Sequence, residues 1–145
     1  MAGELRISVR TDADIVTARQ KGRVLAEPLG FRGSDLALIA TAISEVARNI
    51  VVYAGCGEII LDVVRDGERE GIVVIARDEG PGIADVEKAM QDGYSTSKSL
   101  GLGLPGAKRM MDEFEIVSAV GKGTTITMRK WRRSHEDRPY RPAGT

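Results

Sequence analysis

The sequence predicts a two-layer α/β sandwich: a mixed, mostly antiparallel sheet with helices on one face. Three observations lead there. The 145 residues suffice for one domain with a real hydrophobic core. Two apolar stripes of helical period are collected in the first third of the chain. The β-rich runs after them are mostly joined in pairs by tight turns, unlike the strict alternation that builds a parallel sheet.

Leu5, Ile7 and Val9 alternate with charged or polar neighbours, the period of a strand with one buried face. Thr11 stands where a helix N-cap belongs, with Asp12 and Asp14 in the first turn to favour its positive dipole end. Ile15, Ala18, Gly22, Leu25 and Leu29 then mark one face of a helix packed on the sheet. Gly30 and Gly33 interrupt the chain, and Ser34 or Asp35 is expected to cap a second helix with the stripe Ile39, Ile43, Val46 and Ile50. Residues 58–65 and 71–77 read as a strand pair turning at Asp66-Gly67. A Gly-rich loop, a short helical stretch near 85–91 and a polar run from Asp92 to Ser99 follow. A Gly-rich helix start at 101–106 leads to about Asp112, and residues 114–120 and 124–130 read as a final strand pair. The domain ends near Trp131, leaving a polar basic tail over 132–145.

Twenty-one basic and twenty-one acidic residues balance, so overall charge points neither to nucleic acid nor to an anionic membrane as partner. The tail from 129 onward carries +4 and the rest −4, and that end reads as solubilising. Gly is enriched, 17 in 145, as unusual turns or close backbone–ligand contacts require. The single Cys56 rules out an internal disulfide framework and, with no activating neighbour, reads as a small packing residue. No Cys/His cluster offers a structural zinc site. The opening MAGELRISVR lacks the apolar core of a signal peptide, and no apolar run approaches ~18 residues. A soluble, cytoplasmic protein is expected.

Four short motifs carry chemistry. Glu45 and Asn49 are four apart and share a helix face: a carboxylate for a proton acceptor, an amide oxygen for a metal. Asp78-Glu79-Gly80-Pro81-Gly82 ends an apolar strand in a turn bare enough for a flat ligand, with Asp78 able to accept from an amine. Gly101-Leu102-Gly103-Leu104-Pro105-Gly106 opens a helix whose first amides can cradle phosphate. Before it, Gly93 to Ser99, hydroxyl-rich with Lys98, suits a lid. Gly121-Lys122-Gly123-Thr124 opens the last strand. Each alone has a plain reading: a solvated helix flank, a surface turn, a flexible loop, a hairpin turn.

Together and in this order, E-x-x-x-N, D-x-G-x-G, G-L-G-L and G-x-G-T resemble the ATP-binding domain shared by gyrase, histidine kinases and MutL, over roughly residues 4–131. The stretches DADIVTARQKGRVLAEPLGF, TAISEVARNIVVYAG, GYSTS, GLPGAKRMMDEF and the closing KW are similar to the anti-sigma-factor kinases, and among them to the stressosome switch kinases. The resemblance implies a Bergerat-type fold and an ATP- and Mg²⁺-dependent protein serine/threonine kinase domain over residues 1–131. Its implied partners are STAS-domain scaffold or antagonist proteins and the regulatory domain of a phosphatase. A weak homodimer stays open, and neither nucleic acid nor membrane is expected.

By the same resemblance Glu45 is the catalytic base, and Asn49 contacts the nucleotide as the Mg²⁺ ligand. Asp78 accepts from the adenine amino group, Gly80 and Gly82 belong to the same pocket, and Thr124 reaches the adenine side. Gly101, Leu102, Gly103, Leu104 and Gly106 form the phosphate loop, and Lys98 belongs to the lid. Two alternatives remain: an anti-sigma factor that binds a sigma factor, and an ATP-gated binding module or detached histidine-kinase domain without transfer to a protein. His135, the one histidine, lies in the tail with no helical stripe around it, so no phosphoacceptor helix is expected.

Overall fold

The computed structural model describes residues 4–91 and 103–132. These form β1 (Leu5–Val9), α1 (Asp12–Ala26), α2 (Gly33–Asn49), β2 (Gly57–Asp66), β3 (Arg69–Asp78), α3 (Val86–Ala89), α4 (Gly103–Met110), β4 (Glu113–Ala119) and β5 (Gly123–Trp131). A 3-10 turn, Glu27–Leu29, follows α1, and a π turn, Ile50–Ala54, continues α2. The expected two-layer sandwich is there, with the helices on one face of a single sheet.

The strand order is β1-β2-β3-β5-β4, and every pairing is antiparallel. The parallel part of the expected mixed sheet is absent among the described residues. β3 and β4 run the same way, but β5 lies between them, so no parallel ladder forms. Directly paired residues point to the same side of an antiparallel sheet. The row Ile7, Ile59, Ala76, Ile126 and Ile116 therefore faces the helices, as does the next row, Leu61, Val74, Met128 and Phe114. Against these rows α2 sets Ile39, Ile43 and Val46 and the π turn adds Ile50, all at most 1% exposed.

Local chemistry explains most element ends. Thr11 caps α1 through a capping box, and the Asp14 carboxylate accepts from the backbone N–H of Arg10 (2.9 Å) and Thr11 (3.1 Å). Those N–H groups hold the Asp14 carboxyl below its ordinary value, so this cap is intact at neutral pH and is lost only as pH falls through the lowered value. Ser34 and Asp35 do not cap α2. They lie inside its first turn, and the N-cap position is Arg32, without a side-chain bond. Asp35 instead lies 3.9 Å from the buried Lys130, whose Nζ donates to the Met110 carbonyl (2.9 Å) and also approaches Asp112 at 3.8 Å. That one ammonium joins β5, the start of α2 and the end of α4.

The hairpin between β2 and β3 turns at Gly67-Glu68, one residue beyond the expected Asp66-Gly67. Asp66 itself pairs with Arg69, which caps the ladder with a 2.6 Å ion pair. Cys56 is exposed and not a packing residue. The π turn ends α2, and the chain leaves at Gly55, so the next residue sits in the surface connection to β2. Gly33–Ala54, 22 residues, is long and apolar enough by composition to cross a membrane, but 56% of its most apolar 18-residue window is buried in the core and it carries Glu45, Arg48 and Asn49. It is the core helix. At the far end of β5, Trp131 donates Nε1–H to Glu113 (2.7 Å) and lies under Arg69, which fastens the last strand where the domain was expected to end.

Candidate active site

The helix-facing side of the sheet ends in a polar row. Two residues along from the Ile59–Ala76–Ile126–Ile116 row, register sets Gly57 opposite Asp78, Asp78 opposite Thr124 and Thr124 opposite Ser118. The same alternation that builds the core thus puts a carboxylate and two hydroxyls side by side at its rim. The end of α2 and the start of α4 complete a cavity of about 400 Å³, within the range of small-molecule sites. Glu45 and Asn49 line it from α2, Val52, Tyr53 and Ala54 from the π turn, Asp78 and Thr124 from the sheet, and Gly82 and Ile83 from the loop after β3. Gly103 and Leu104 line it from α4.

Seven of the expected site residues therefore surround one space: Glu45, Asn49, Asp78, Gly82, Gly103, Leu104 and Thr124. Gly80 and Gly106 do not line it. Gly80 supports the site from behind: its N–H donates to Asp78 Oδ1 at 2.9 Å, and a Cβ there would meet Ala54 at 2.6 Å. Gly106 is buried a turn inside α4. Lys98, Gly101 and Leu102, with the rest of the expected lid from Asp92, lie outside the described residues, as does His135.

The two glycine motifs interlock. Gly82 has φ +76°, and a Cβ on it would collide with the carbonyl oxygen of Ala119 in β4. Gly123 has φ +82°, and a Cβ on it would collide with the carbonyl oxygen of Asp78. The N–H of Gly121 closes the contact by donating to the Pro81 carbonyl at 2.8 Å. The stretch read alone as a hairpin turn is thus one wall of the site.

Ser118 was not singled out by the sequence, yet it organises this wall. Its Oγ accepts from the Ile83 N–H (2.7 Å), donates to the Gly123 carbonyl (3.1 Å) and lies 2.8 Å from Thr124 Oγ1. A carbonyl only accepts, so the Ser118 proton goes to Gly123 and the Thr124 proton goes to Ser118. Thr124 then turns acceptor lone pairs to the cavity, beside the Asp78 carboxylate. Ser118→Ala should cost about 1–3 kcal/mol by stranding the Ile83 N–H and the Thr124 hydroxyl, measured by denaturant unfolding. An unchanged midpoint would show that water replaces the hydroxyl.

Glu45, 5% exposed, lies one turn before the half-buried Asn49. Arg48, Asp85 and Lys88 also line the cavity and were not picked from the sequence. Asp85 is committed to capping α3, accepting from the Lys88 N–H at 3.0 Å. No group of three or more His, Cys, Asp or Glu able to hold a metal exists among the described residues. A Mg²⁺ ion here would take most of its ligands from phosphate oxygens and water, which that ion commonly keeps.

Comparison with known proteins identifies the family. Residues 9–130 match the family model described as histidine kinase-like ATPase domain. Serine/threonine-protein kinase RsbT of Bacillus subtilis (strain 168) is 54% identical over 127 residues, 88% of this chain and 96% of the relative. The Anti-sigma F factor of Caldanaerobacter subterraneus subsp. tengcongensis is 37% identical over 101 residues, 67% of this chain and 71% of the relative. Among solved structures, the RsbU and RsbW domains of Rv1364c from Mycobacterium tuberculosis superpose with a TM-score of 0.59 at 24% identity. That match covers 91% of this chain and 33% of the other, and it speaks to the fold alone. The chain belongs to the histidine kinase-like ATPase domain family, as an RsbT-like serine/threonine kinase.

Proposed function

We propose that this chain transfers phosphate from Mg-ATP to a serine or threonine of a STAS-domain partner, and that this transfer switches partners in a cytoplasmic stress-signalling module. One observation carries the reading: Glu45 and Asn49 of α2 share a cavity with the Asp78–Thr124 pair of the sheet and the first residues of α4. Bound Mg-ATP would supply the phosphoryl group and part of the charge neutralisation that phosphoryl transfer needs. The chain's residues divide the remaining work. Asp78 and Thr124 present two acceptors, which suit the two protons of an adenine amino group and reject the carbonyl oxygen that guanine carries there. Gly82 keeps that wall free of side chains. Asn49 offers its amide oxygen to the metal, and the first amides of α4 favour anionic oxygens. Glu45 takes the proton from the attacking hydroxyl.

A sigma factor as binding partner is the second reading, in line with the name of the 37% relative. The 54% identity to a protein named for kinase activity, across nearly its whole length, favours transfer.

The test combines binding and transfer. ATP should bind much more tightly with Mg²⁺ than without it by calorimetry, Asn49→Ala should abolish that difference, and the wild type should label STAS-domain proteins on serine or threonine. An affinity for ATP indifferent to Mg²⁺ would remove Asn49 from the metal shell. Tight ATP binding with no labelled partner would make the chain an ATP-gated binding module.

A further inference from the structure

Arg48 sits on α2 beside the proposed base, on the side away from the proposed metal ligand, and its chemistry is unused by the reading above. At about 100° per residue, Arg48 and Asn49 flank Glu45, roughly 60° to one side and 40° to the other. All three line the same cavity. The Arg48 Nε is withdrawn from solvent and makes no hydrogen bond. Charged groups are rarely left so, because removing a guanidinium donor from water without an acceptor is costly. Among the described residues no ion pair engages this side chain, and two of the three acids lining the cavity are committed elsewhere: Asp78 accepts from Gly80, and Asp85 caps α3.

The neighbours narrow what the missing acceptor is. The adenine-reading groups, Asp78 and Thr124, come from the sheet, whereas Arg48 comes from the helix that carries Glu45 and Asn49. A polyphosphate entering a cavity that holds the carboxylates of Glu45, Asp78 and Asp85 brings more negative charge and needs cations. A guanidinium keeps its charge at any working pH and can offer two parallel N–H donors to phosphate oxygens.

We infer that Arg48 is a phosphate-recognition residue, which binds the terminal phosphate of the nucleotide and helps the site tell a triphosphate from a diphosphate. The inference rests on the nucleotide reading of this cavity and adds to it the residue that senses the last phosphate. The free protein then holds an incomplete hydrogen-bond set that a triphosphate fills.

The experiment compares calorimetric affinities for Mg-ATP and Mg-ADP in the wild type, Arg48→Met and Arg48→Lys, together with melting temperatures without nucleotide. Arg48→Met should weaken ATP about tenfold or more and change ADP less than about twofold, because one charge-assisted contact is removed. Arg48→Lys should recover part of the ATP preference. The nucleotide-free melting temperature of Arg48→Met should stay level or rise, since an unpaired buried donor has been removed. Equal weakening of ATP and ADP, or no weakening of either, would overturn the assignment. So would a nucleotide-free melting temperature several degrees lower, which marks a structural role. Unchanged nucleotide affinities with a raised KM for the protein acceptor would move Arg48 to acceptor recognition and overturn it equally. If the wild type binds neither nucleotide, the reading of the cavity fails with it; if the wild type binds and the variants keep its ATP-to-ADP ratio, only Arg48 is lost.

Discussion

Glu45→Ala should phosphorylate the protein partner about 100-fold more slowly than the wild type, or worse, while binding Mg-ATP nearly normally. A hydroxyl nucleophile must lose its proton as the phosphoryl group arrives, and a positioned base typically contributes ~10²–10⁴ in rate. The structure narrows the choice of base. Of the carboxylates lining the cavity, Asp78 accepts from Gly80 on the sheet, and Asp85 caps α3. Asp35, the other acid on α2, lies at the opposite end of that helix beside Lys130. Glu45 alone stands within a turn of the proposed metal ligand. Glu45→Gln should behave as Glu45→Ala does, because it keeps the shape and loses the basic oxygen. Rapid-quench transfer assays, with calorimetry for the nucleotide, separate the two steps. Transfer at the wild-type rate by either variant would leave Glu45 a structural neighbour and put the base elsewhere.

Gly123→Ala should be the most damaging single-methyl change in the sheet, and Gly121→Ala, two residues away, should be mild. Both glycines have positive φ, +77° at Gly121 and +82° at Gly123. A side chain in that region costs ~1–2 kcal/mol in either case. At Gly121 nothing lies within 4 Å of the added carbon, so the backbone term is the whole cost. At Gly123 the added carbon meets the Asp78 carbonyl and, at 2.8 Å, Glu79 Cα, neither of which can rotate away. Overpacking adds ~1–3 kcal/mol, and the displaced strand end is the one that carries Asp78. Gly123→Ala should therefore lose about 3 kcal/mol or more and most of its nucleotide affinity. Gly121→Ala should lose ~1 kcal/mol and keep its ligand. Similar melting temperatures for the two variants would show that the β3–β5 contact yields more easily than its geometry implies.

The sequence made some parts legible and hid others for a common physical reason. Glu45 and Asn49 were readable because a helix turns a spacing of four into a shared face. The Ile39, Ile43, Val46 and Ile50 stripe was readable for the same cause. Thr11 and Asp14 announced their cap because every partner lies within four residues. What local spacing cannot carry is strand register. Ser118 reads as an ordinary polar residue in a strand until β4 pairs with β5 and sets it opposite Thr124. Gly80 reads as a ligand contact until β3 and the π turn bring it against Ala54. Arg48 reads as the solvated flank of a helix, because only the folded cavity withdraws its Nε from water. Asp35 fits the rule for a helix cap, and a long-range partner, Lys130, overrides it. The expected mixed sheet fails in the same way: strand order is long-range, and with β5 between β3 and β4 every described pairing is antiparallel.

The polar row at the rim of the sheet also makes ligand binding a test of folding. Thr124 shares its strand and its face with Ile126 and Met128. A slip of β5 by one residue would turn all three to the opposite side. No misregistered species can then keep a working pocket over a disordered interior. The same error that spoils the core also erases the site. Because a ligand stabilises only the state it can occupy, nucleotide would draw the population toward the correctly paired strands and act as a proofreader of the sheet.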